Sequence, residues 1–408
     1  MQQLILVVAC FGIIPLLSRT KISFGVKLFI TMFLVSALNG LTPGMVFDNF
    51  LGIFRSPASV EVILVVSIIG IINGLMNKYG IFDKIVSDLS AITKNVKILF
   101  IFLPSFIGLL TMPGGAVMSA PFISNLGEQV GMPKPRRAAV NLIFRHSGMY
   151  FMPYSGANLL LHAFFPEISI YKFIGMNSIF LFGMWIYAYF LYLHDIPVEK
   201  SVPTVPREET FAKIKSLAVN LSPIYICIAL NILLGLRFSV CLIASIAIIY
   251  FLGPRKGFVK LLFKSIDKNL ILAMVAIFFV QQTVLSLDGL IGFFSAMFHS
   301  GGYSLLAILL VSVFFGMITG VIMAPFGVIL PLVASLGLSE NELMAYVYFI
   351  FATGFCGYFF SPLHLCQVLT NNHMGVTTCE LWKEYRYFVL FTVVFLGVSF
   401  FVIRMIFV

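Results

Sequence analysis

The sequence has little charge. Asp, Glu, Lys and Arg make up only 10% of its 408 residues, whereas 60% are hydrophobic; soluble domains carry about 25% charged residues. Apolar runs such as "VILVVSIIGIINGL" and "YFVLFTVVFLGVSFFVI" are long enough, or nearly so, to cross a hydrocarbon core of about 30 Å. The composition therefore excludes an ordinary soluble domain and indicates an all-α polytopic membrane protein.

Several functional signatures are also absent. The chain has no GxxxxGK[ST], HExxH or GxSxG motif, which argues against a built-in ATP motor and against a protease or lipase-type enzyme. Its six cysteines form no CxxC pair and no metal-ligand spacing, so we interpret them as buried apolar fillers. The net charge of +10 is scattered over short loops, which favours positive-inside topology over a nucleic-acid partner. We predict a non-enzymatic protein with the lipid bilayer as partner and no metal, cofactor or nucleic acid.

Internal repeats are visible in three pairs of segments. "GLLTMPGGAVMSAPFISNLG" resembles "GMITGVIMAPFGVILPLVASLG", "RHSGMYFMPYSGANLLLHAFFP" resembles "GFCGYFFSPLHLCQVLTNNH", and "IINGLMNKYGIFDKIVSDL" resembles "FVQQTVLSLDGLIGFFSAM". The three pairs occur in the same order and at nearly the same offset. They predict two repeats, 1–193 and 213–408, joined by a polar linker at 194–212.

Each repeat is predicted to contain five membrane spans and one hairpin. The predicted spans are 3–18, 24–41, 59–76, 138–165 and 170–193, then 215–236, 238–252, 269–287, 342–368 and 385–405. The hairpins are predicted at 96–128 and 303–337. Spans 138–165 and 342–368 contain prolines, which predict a break within each of them.

Loop charges predict the topology. If each hairpin returns to its starting side, the repeats are inverted, both termini lie outside, and the linker 194–212 lies in the cytoplasm with the basic loops. We therefore expect a multi-pass protein of the prokaryotic inner (plasma) membrane. A hairpin that crosses completely would give the same parity, so re-entry rests on Pro113-Gly114-Gly115, whose poor helix propensity favours a break.

The breaks are the predicted functional positions. Discontinuous helices present half-helix N-termini to anions and free carbonyls to cations. The predicted solute-binding residues are Thr111, Pro113, Gly114, Gly115, Arg145, His146, Tyr154, Ser155, Asn158, Pro325, Gly327, Ser361, His364 and Gln367. The predicted ion-coupling residues are Asn73, Gly156, Gln282, Thr319 and Pro362. The alternative is ordinary proline kinking, with hydroxyl side chains bonded to their own helical turn.

Arg145 is the sharpest single feature. An arginine within a span usually faces a cavity or a partner, and no acidic residue stands in mid-span to pair with it, which leaves room for an anionic solute. The alternative is that Arg145 snorkels to the cytoplasmic surface. His146 and His364 are candidates for carrying protons or for interior hydrogen bonds. The missing mid-span carboxylates disfavour a cation/proton antiporter.

"MPGGAVMSAP", "NLIFRH" and "YFMPYSGANLL" resemble the uncharacterised membrane family 401 of the domain-of-unknown-function series. The wider architecture resembles the ion transporter superfamily, which includes divalent anion/sodium symporters, citrate carriers, gluconate permeases and arsenite pump membrane subunits. This resemblance implies an elevator-type transporter with a dimerising scaffold, hairpin tips at 113–115 and 325–327, and unwound loops at 154–158 and 361–364. The symporters' paired Ser-Asn-Thr signatures are absent here, so dicarboxylate specificity and sodium coupling do not carry over.

These observations predict a secondary active transporter of a small anionic, carboxylate-type metabolite. We expect a homodimer with Na⁺ or H⁺ as coupling ion, a choice that the sequence leaves open. A cation/proton antiporter is the alternative within transport, and an intramembrane enzyme is the alternative outside it.

Overall fold

The computed structural model describes residues 2–17, 20, 22–93, 95–109, 115–197, 207–299, 304–334 and 336–408. Every regular element within these ranges is a helix, as the composition predicted. The predicted hairpin residues Thr111, Pro113 and Gly114 and the middle of the linker lie outside the described residues.

Twelve helices precede the linker in the described part of the chain. They are α1 Gln2–Phe11, α2 Ile13–Leu17, α3 Phe24–Leu38, α4 Pro43–Arg55, α5 Pro57–Lys78, α6 Ile81–Ile92, α7 Val96–Gly108, α8 Ala116–Gln129, α9 Lys134–Arg145, α10 Gly148–Phe151, α11 Gly156–Phe164 and α12 Ile170–Tyr192.

Ten helices follow the linker among the described residues. They are α13 Arg207–Leu234, α14 Phe238–Leu252, α15 Phe258–Lys264, α16 Lys268–Leu285, α17 Asp288–His299, α18 Ser304–Thr319, α19 Met323–Ala334, α20 Glu340–Phe359, α21 Leu365–Met374 and α22 Thr378–Phe407.

Six of these helices are long and apolar enough to cross a membrane: α5, α12, α13, α16, α20 and α22. Several long apolar helices of this kind are consistent with a multi-pass membrane protein. The helices differ in burial. α22 leaves Leu390, Val394 and Phe401 exposed along one side, whereas α20 is buried along nearly its whole length, so α20 forms the centre of the bundle.

Two helices lie between predicted spans. α15 follows the predicted span 238–252, and α4 occupies Pro43–Arg55, between the predicted spans 24–41 and 59–76. Its start is encoded locally, because the Thr42 side chain accepts a hydrogen bond from the Met45 amide and Pro43 stands at the first helical position. Both features are typical of helix N-termini. The predicted first span is also divided, into α1 and α2, at Gly12.

The predicted tip at Pro325–Gly327 is wrong. The chain turns earlier, between Thr319 and Met323, where Gly320 has a φ of +63° that only glycine adopts readily. Pro325 and Gly327 lie inside α19 and are buried. Pro325 is the third residue of that helix, and amides in the first helical turn have no intrahelical partner, so proline is tolerated there.

Helix contacts recur in matched pairs along the chain. α3 packs on α16 as α14 packs on α5, and α21 packs on α8 as α11 packs on α19. Likewise, α22 contacts α9 and α12 contacts α20. In each of these contacts an early helix meets a late one, so the two parts of the chain are interlocked rather than side by side.

Candidate functional site

Two broken helices meet at their breaks. α9 ends at Arg145, a short α10 follows, and α11 begins at Gly156; α20 ends at Phe359, and α21 begins at Leu365. The break that follows α9 contacts the break between α20 and α21, because His146 Nε2 lies 3.1 Å from His364 Nε2. The candidate site is built around this junction.

The position of Arg145 is fixed by a close backbone contact with α7. A Cβ placed on Gly108 would lie 2.9 Å from the carbonyl carbon of Arg145 and closer still to its oxygen. Gly148, on the other side of the break, meets the Gly108 carbonyl in the same way. Ser105 Oγ donates to the Phe144 carbonyl at 2.9 Å. Only glycine permits such contacts, so α7 holds the end of α9 in place.

The Arg145 side chain points into the bundle. It is only 4% exposed, which does not agree with the alternative that it snorkels to the membrane surface. Its Nη1 donates to Cys366 Sγ, the two atoms being 3.6 Å apart. The interpretation of Cys366 as an apolar filler therefore fails, because the thiol is in contact with a guanidinium.

A second polar contact joins α9 and α21, one helical turn from Arg145. Asn141, fully buried on α9, donates from Nδ2 to Thr370 Oγ1 at 3.1 Å and to the Ala116 carbonyl at 3.3 Å. Asn141 and Arg145 are four residues apart, so they lie on one face of α9. The Ala116 carbonyl belongs to the first residue of α8. The polar face therefore lies where α8, α9 and α21 meet.

Two amide side chains on α21 remain unpaired. Neither Gln367 nor Asn371 has a hydrogen-bond partner for its side-chain oxygen or nitrogen among the described residues, although both are buried. An unpaired buried polar group costs about 1–3 kcal/mol. Native proteins keep few such groups, and these two lie four residues apart on one face of α21, the helix that contacts Arg145 through Cys366.

His146 and His364 form the centre of a compact cluster. His146 Nε2 is also 3.1 Å from the Tyr358 hydroxyl, and the Cys366 thiol completes a group whose nitrogen and sulfur atoms lie within 4.8 Å of one another. All of these side chains are buried. The cluster joins His146, which follows α9, to residues far along the chain. These are Tyr358 of α20, His364 just before α21 and Cys366 of α21.

Other predicted solute residues stabilise their own breaks. Asn158 Nδ2 donates to the Met152 carbonyl at 3.0 Å, and Ser155 Oγ donates to the Met149 carbonyl at 3.3 Å. Both acceptors are backbone carbonyls at the break, and the Met152 carbonyl also accepts from the Ser155 amide at 2.9 Å. Tyr154 is buried with its ring 6.1 Å from that of Phe238. The hydrogen bonds of Ser155 and Asn158 are thus local.

Two hydroxyl side chains make hydrogen bonds at and near the break between α20 and α21. Ser361 Oγ donates to the Met317 carbonyl at 2.5 Å and accepts from the Leu363 amide. Thr319 Oγ1 donates to the Phe315 carbonyl at 2.6 Å and accepts from the Val321 amide at 3.2 Å. The Ser361 hydroxyl therefore connects the α20–α21 break to α18. The Thr319 hydroxyl is bonded within its own turn, as the alternative of hydroxyl bonds to the same helical turn predicts.

The remaining predicted residues are distributed around the bundle. Gly115 is buried just before α8, Asn73 is buried on α5, Gln282 is half-buried beside Gly52 of α4, Gly156 packs against Met323, and Pro362 is exposed. No hydrogen bond among the described residues links Asn73 or Pro362 to the histidine cluster.

A large cavity among the described residues is chemically unrelated to this junction. It has a volume of about 690 Å³ and is lined by apolar side chains of α1, α17 and α18, including Leu4, Val8 and Phe314. A pocket that recognises a polar solute needs a few convergent polar groups, which this cavity lacks. The α8–α9–α21 junction has those groups instead.

Sequence reasoning missed Asn141, Tyr358, Cys366, Thr370 and Asn371. A usable signal existed, because Asn141 precedes Arg145 by four residues and Gln367 precedes Asn371 by four, a spacing that places polar side chains on one helical face. The pairing of those two faces depends on tertiary contacts that no local pattern contains.

These features define a class: a helical protein with membrane-length spans and a buried polar site between two broken helices. The chain belongs to the family described as "Protein of unknown function (DUF401)", whose model matches residues 4–406. No curated protein matches the sequence significantly.

Proposed function

We propose that this protein is a secondary active transporter of a small anionic solute, which binds at the junction of α8, α9 and α21. The observation that carries the proposal is the combination of buried Arg145 with the unpaired amides of Gln367 and Asn371. A guanidinium and amide donors suit a carboxylate or another oxyanion.

An inverted-repeat architecture supports the proposal. Under it, the matched helix contacts, α3 on α16 with α14 on α5 and α21 on α8 with α11 on α19, are the two copies of one arrangement. The α7–α8 and α18–α19 segments are then re-entrant hairpins, and the linker and basic loops are cytoplasmic. Binding at broken helices between inverted repeats is how many secondary transporters hold a solute near mid-membrane.

The physical mechanism follows from the charges. A buried guanidinium in a low-dielectric interior favours an anion strongly, and a solute that neutralises it would make movement of the loaded site across the membrane less costly. We expect Na⁺ or H⁺ to supply the driving gradient. A homodimer in the inner membrane, with an elevator-like movement of the hairpins and broken helices, completes the proposal.

Uptake into proteoliposomes tests this function. Wild-type protein should accumulate one class of carboxylate or inorganic oxyanion under an inward Na⁺ or H⁺ gradient, and Arg145→Ala should reduce uptake by at least about tenfold, as loss of a buried ionic contact of about 1.4 kcal/mol or more requires. Arg145→Lys keeps the charge and should retain part of the uptake.

Arg136→Gln is the matched control. Arg136 stands on the same helix but pairs with Asp195 at the surface, so its loss should leave uptake within about twofold of wild type. The proposal fails if Arg145→Ala transports as well as wild type, or if only neutral or cationic solutes stabilise the purified protein. Turnover of a solute without any gradient would favour the enzyme alternative.

A further inference from the structure

We propose that His146, His364 and Cys366 bind a thiophilic first-row transition-metal ion. Their ligand atoms lie within 4.8 Å of one another, and all three side chains are at least nine-tenths buried. The inference does not depend on transport, because it concerns the resting protein and is tested without any solute.

The hydrogen bonds of the two imidazoles orient them for metal binding. His146 Nδ1 lies 2.5 Å from the Leu142 carbonyl, and His364 Nδ1 lies 3.3 Å from the Phe359 carbonyl. A carbonyl only accepts, so each Nδ1 carries the proton and each neutral ring presents its Nε2 lone pair to the other. Metal-binding histidines typically have this arrangement, with the second nitrogen donating to a carbonyl or carboxylate.

The distance between the two imidazole nitrogens agrees with a tetrahedral metal. Zn²⁺ binds imidazole nitrogen at about 2.0–2.1 Å, which places two nitrogens about 3.3 Å apart in a tetrahedron. The two Nε2 atoms are 3.1 Å apart. Without an ion, the two lone pairs face each other. The Tyr358 hydroxyl, 3.1 Å from His146 Nε2, can donate to only one ring at a time.

The chemistry of the ligands selects the ion. Two imidazoles and a thiolate suit Zn²⁺, Co²⁺ and Cu⁺, whereas Mg²⁺ and Ca²⁺ prefer oxygen. Cys366 binds as the thiolate, so its proton leaves to water when the metal enters. Arg145, whose Nη1 is 3.6 Å from Cys366 Sγ, offsets the negative charge of the thiolate. Three protein ligands leave a fourth position open.

The sequence hides this site because the ligands come from different breaks. His146 and His364 are 218 residues apart, and Cys366 follows His364 after one residue, so no CxxC or HxxxH spacing appears. A metal here would join the end of α9 to the start of α21.

Cobalt binding gives a direct test. Metal-free wild-type protein in detergent should take up one equivalent of Co²⁺ and develop a thiolate-to-cobalt charge-transfer band, which Zn²⁺ but not Mg²⁺ removes by competition. Cys366→Ser should abolish the band, and His364→Ala should weaken binding at least about tenfold. The matched controls are Cys356→Ser, a buried cysteine on α20, and His373→Ala, an exposed histidine on α21; both should bind like wild type.

X-ray absorption of the zinc-loaded wild-type protein avoids any folding defect in the variants. We expect one sulfur at about 2.3 Å and nitrogens at about 2.0 Å. An oxygen-only shell, a cobalt band that survives in Cys366→Ser, or no binding by the wild-type protein overturns the proposal. Uptake assays of the proposed transporter are separate, so failure of one proposal leaves the other testable.

Discussion

Substitution of Gln367 distinguishes a functional role of this side chain from a structural one. Its side chain is fully buried on α21, and neither amide atom has a hydrogen-bond partner among the described residues. Since an unpaired buried polar group costs about 1–3 kcal/mol, the apolar replacement Gln367→Met, which is similar in length and flexible, should recover up to about that amount. We therefore expect a variant that is as stable as wild type or more so.

Binding of the solute should reverse the order of stability, so that the wild-type protein becomes more stable than Gln367→Met. A ligand present at about 100 times its Kd stabilises the folded protein by about 2.7 kcal/mol. Wild-type protein should gain that increment with the anion that drives uptake, whereas Gln367→Met should gain little. The assay is thermal denaturation of the purified protein, with and without the anion, together with uptake into proteoliposomes.

Asn141→Leu contrasts with Gln367→Met, because it removes an amide that has hydrogen-bond partners. Asn141 donates to Ala116 and Thr370, so its loss leaves two acceptors without this donor and should lower stability by about 1–3 kcal/mol even without solute. Should Gln367→Met melt well below wild type while transporting normally, Gln367 is structural and the solute site lies elsewhere.

Two further perturbations test the fold around the site. Gly108→Ala places a methyl group against the Arg145 backbone and should lower the stability of the protein by about 1–3 kcal/mol or more. Gly175→Ala is the control, because an added Cβ there has no atom within 4 Å, and it should be neutral or stabilising. Equal shifts of the melting temperature in the two variants would contradict the close contact. At the surface, Arg136 lowers the pKa of Asp195 through a hydrogen bond and charge. This stabilisation is complete above the ordinary Asp pKa of about 3.9 and disappears as the pH falls through the lowered value, so Asp195→Asn should cost less than about 1 kcal/mol at neutral pH and nothing in strong acid. A larger cost in acid would refute the assignment.

The sequence predicted well those features that local chemistry determines. Apolar length predicted the helices, and the prolines and polar residues near 361 predicted the interruption between α20 and α21. The same reasoning misplaced the turn before α19, because Pro325 is compatible with a helical first turn and Gly320 was the better signal. Arg145, His146 and His364 were identified as unusual residues. Their convergence with Cys366 required contacts between segments that lie more than two hundred residues apart.

The two halves of the chain differ at the positions that form the proposed solute site. Alignment of Pro153 with Pro362 places Gly354 opposite Arg145, Phe355 opposite His146 and Ile350 opposite Asn141.

The second copy of the junction, formed by α11, α19 and α20, therefore has no counterpart of Arg145, His146 or Asn141, although Asn158 of α11 stands opposite Gln367. Gly354 instead admits close packing by Pro325, whose Cγ would lie 3.0 Å from an added Cβ. Under the proposed repeat, both junctions contain a buried amide, Asn158 in one and Gln367 in the other, but only one of them contains a buried cation among the described residues. Because a guanidinium suits an anion, only the α8–α9–α21 junction is expected to bind the solute.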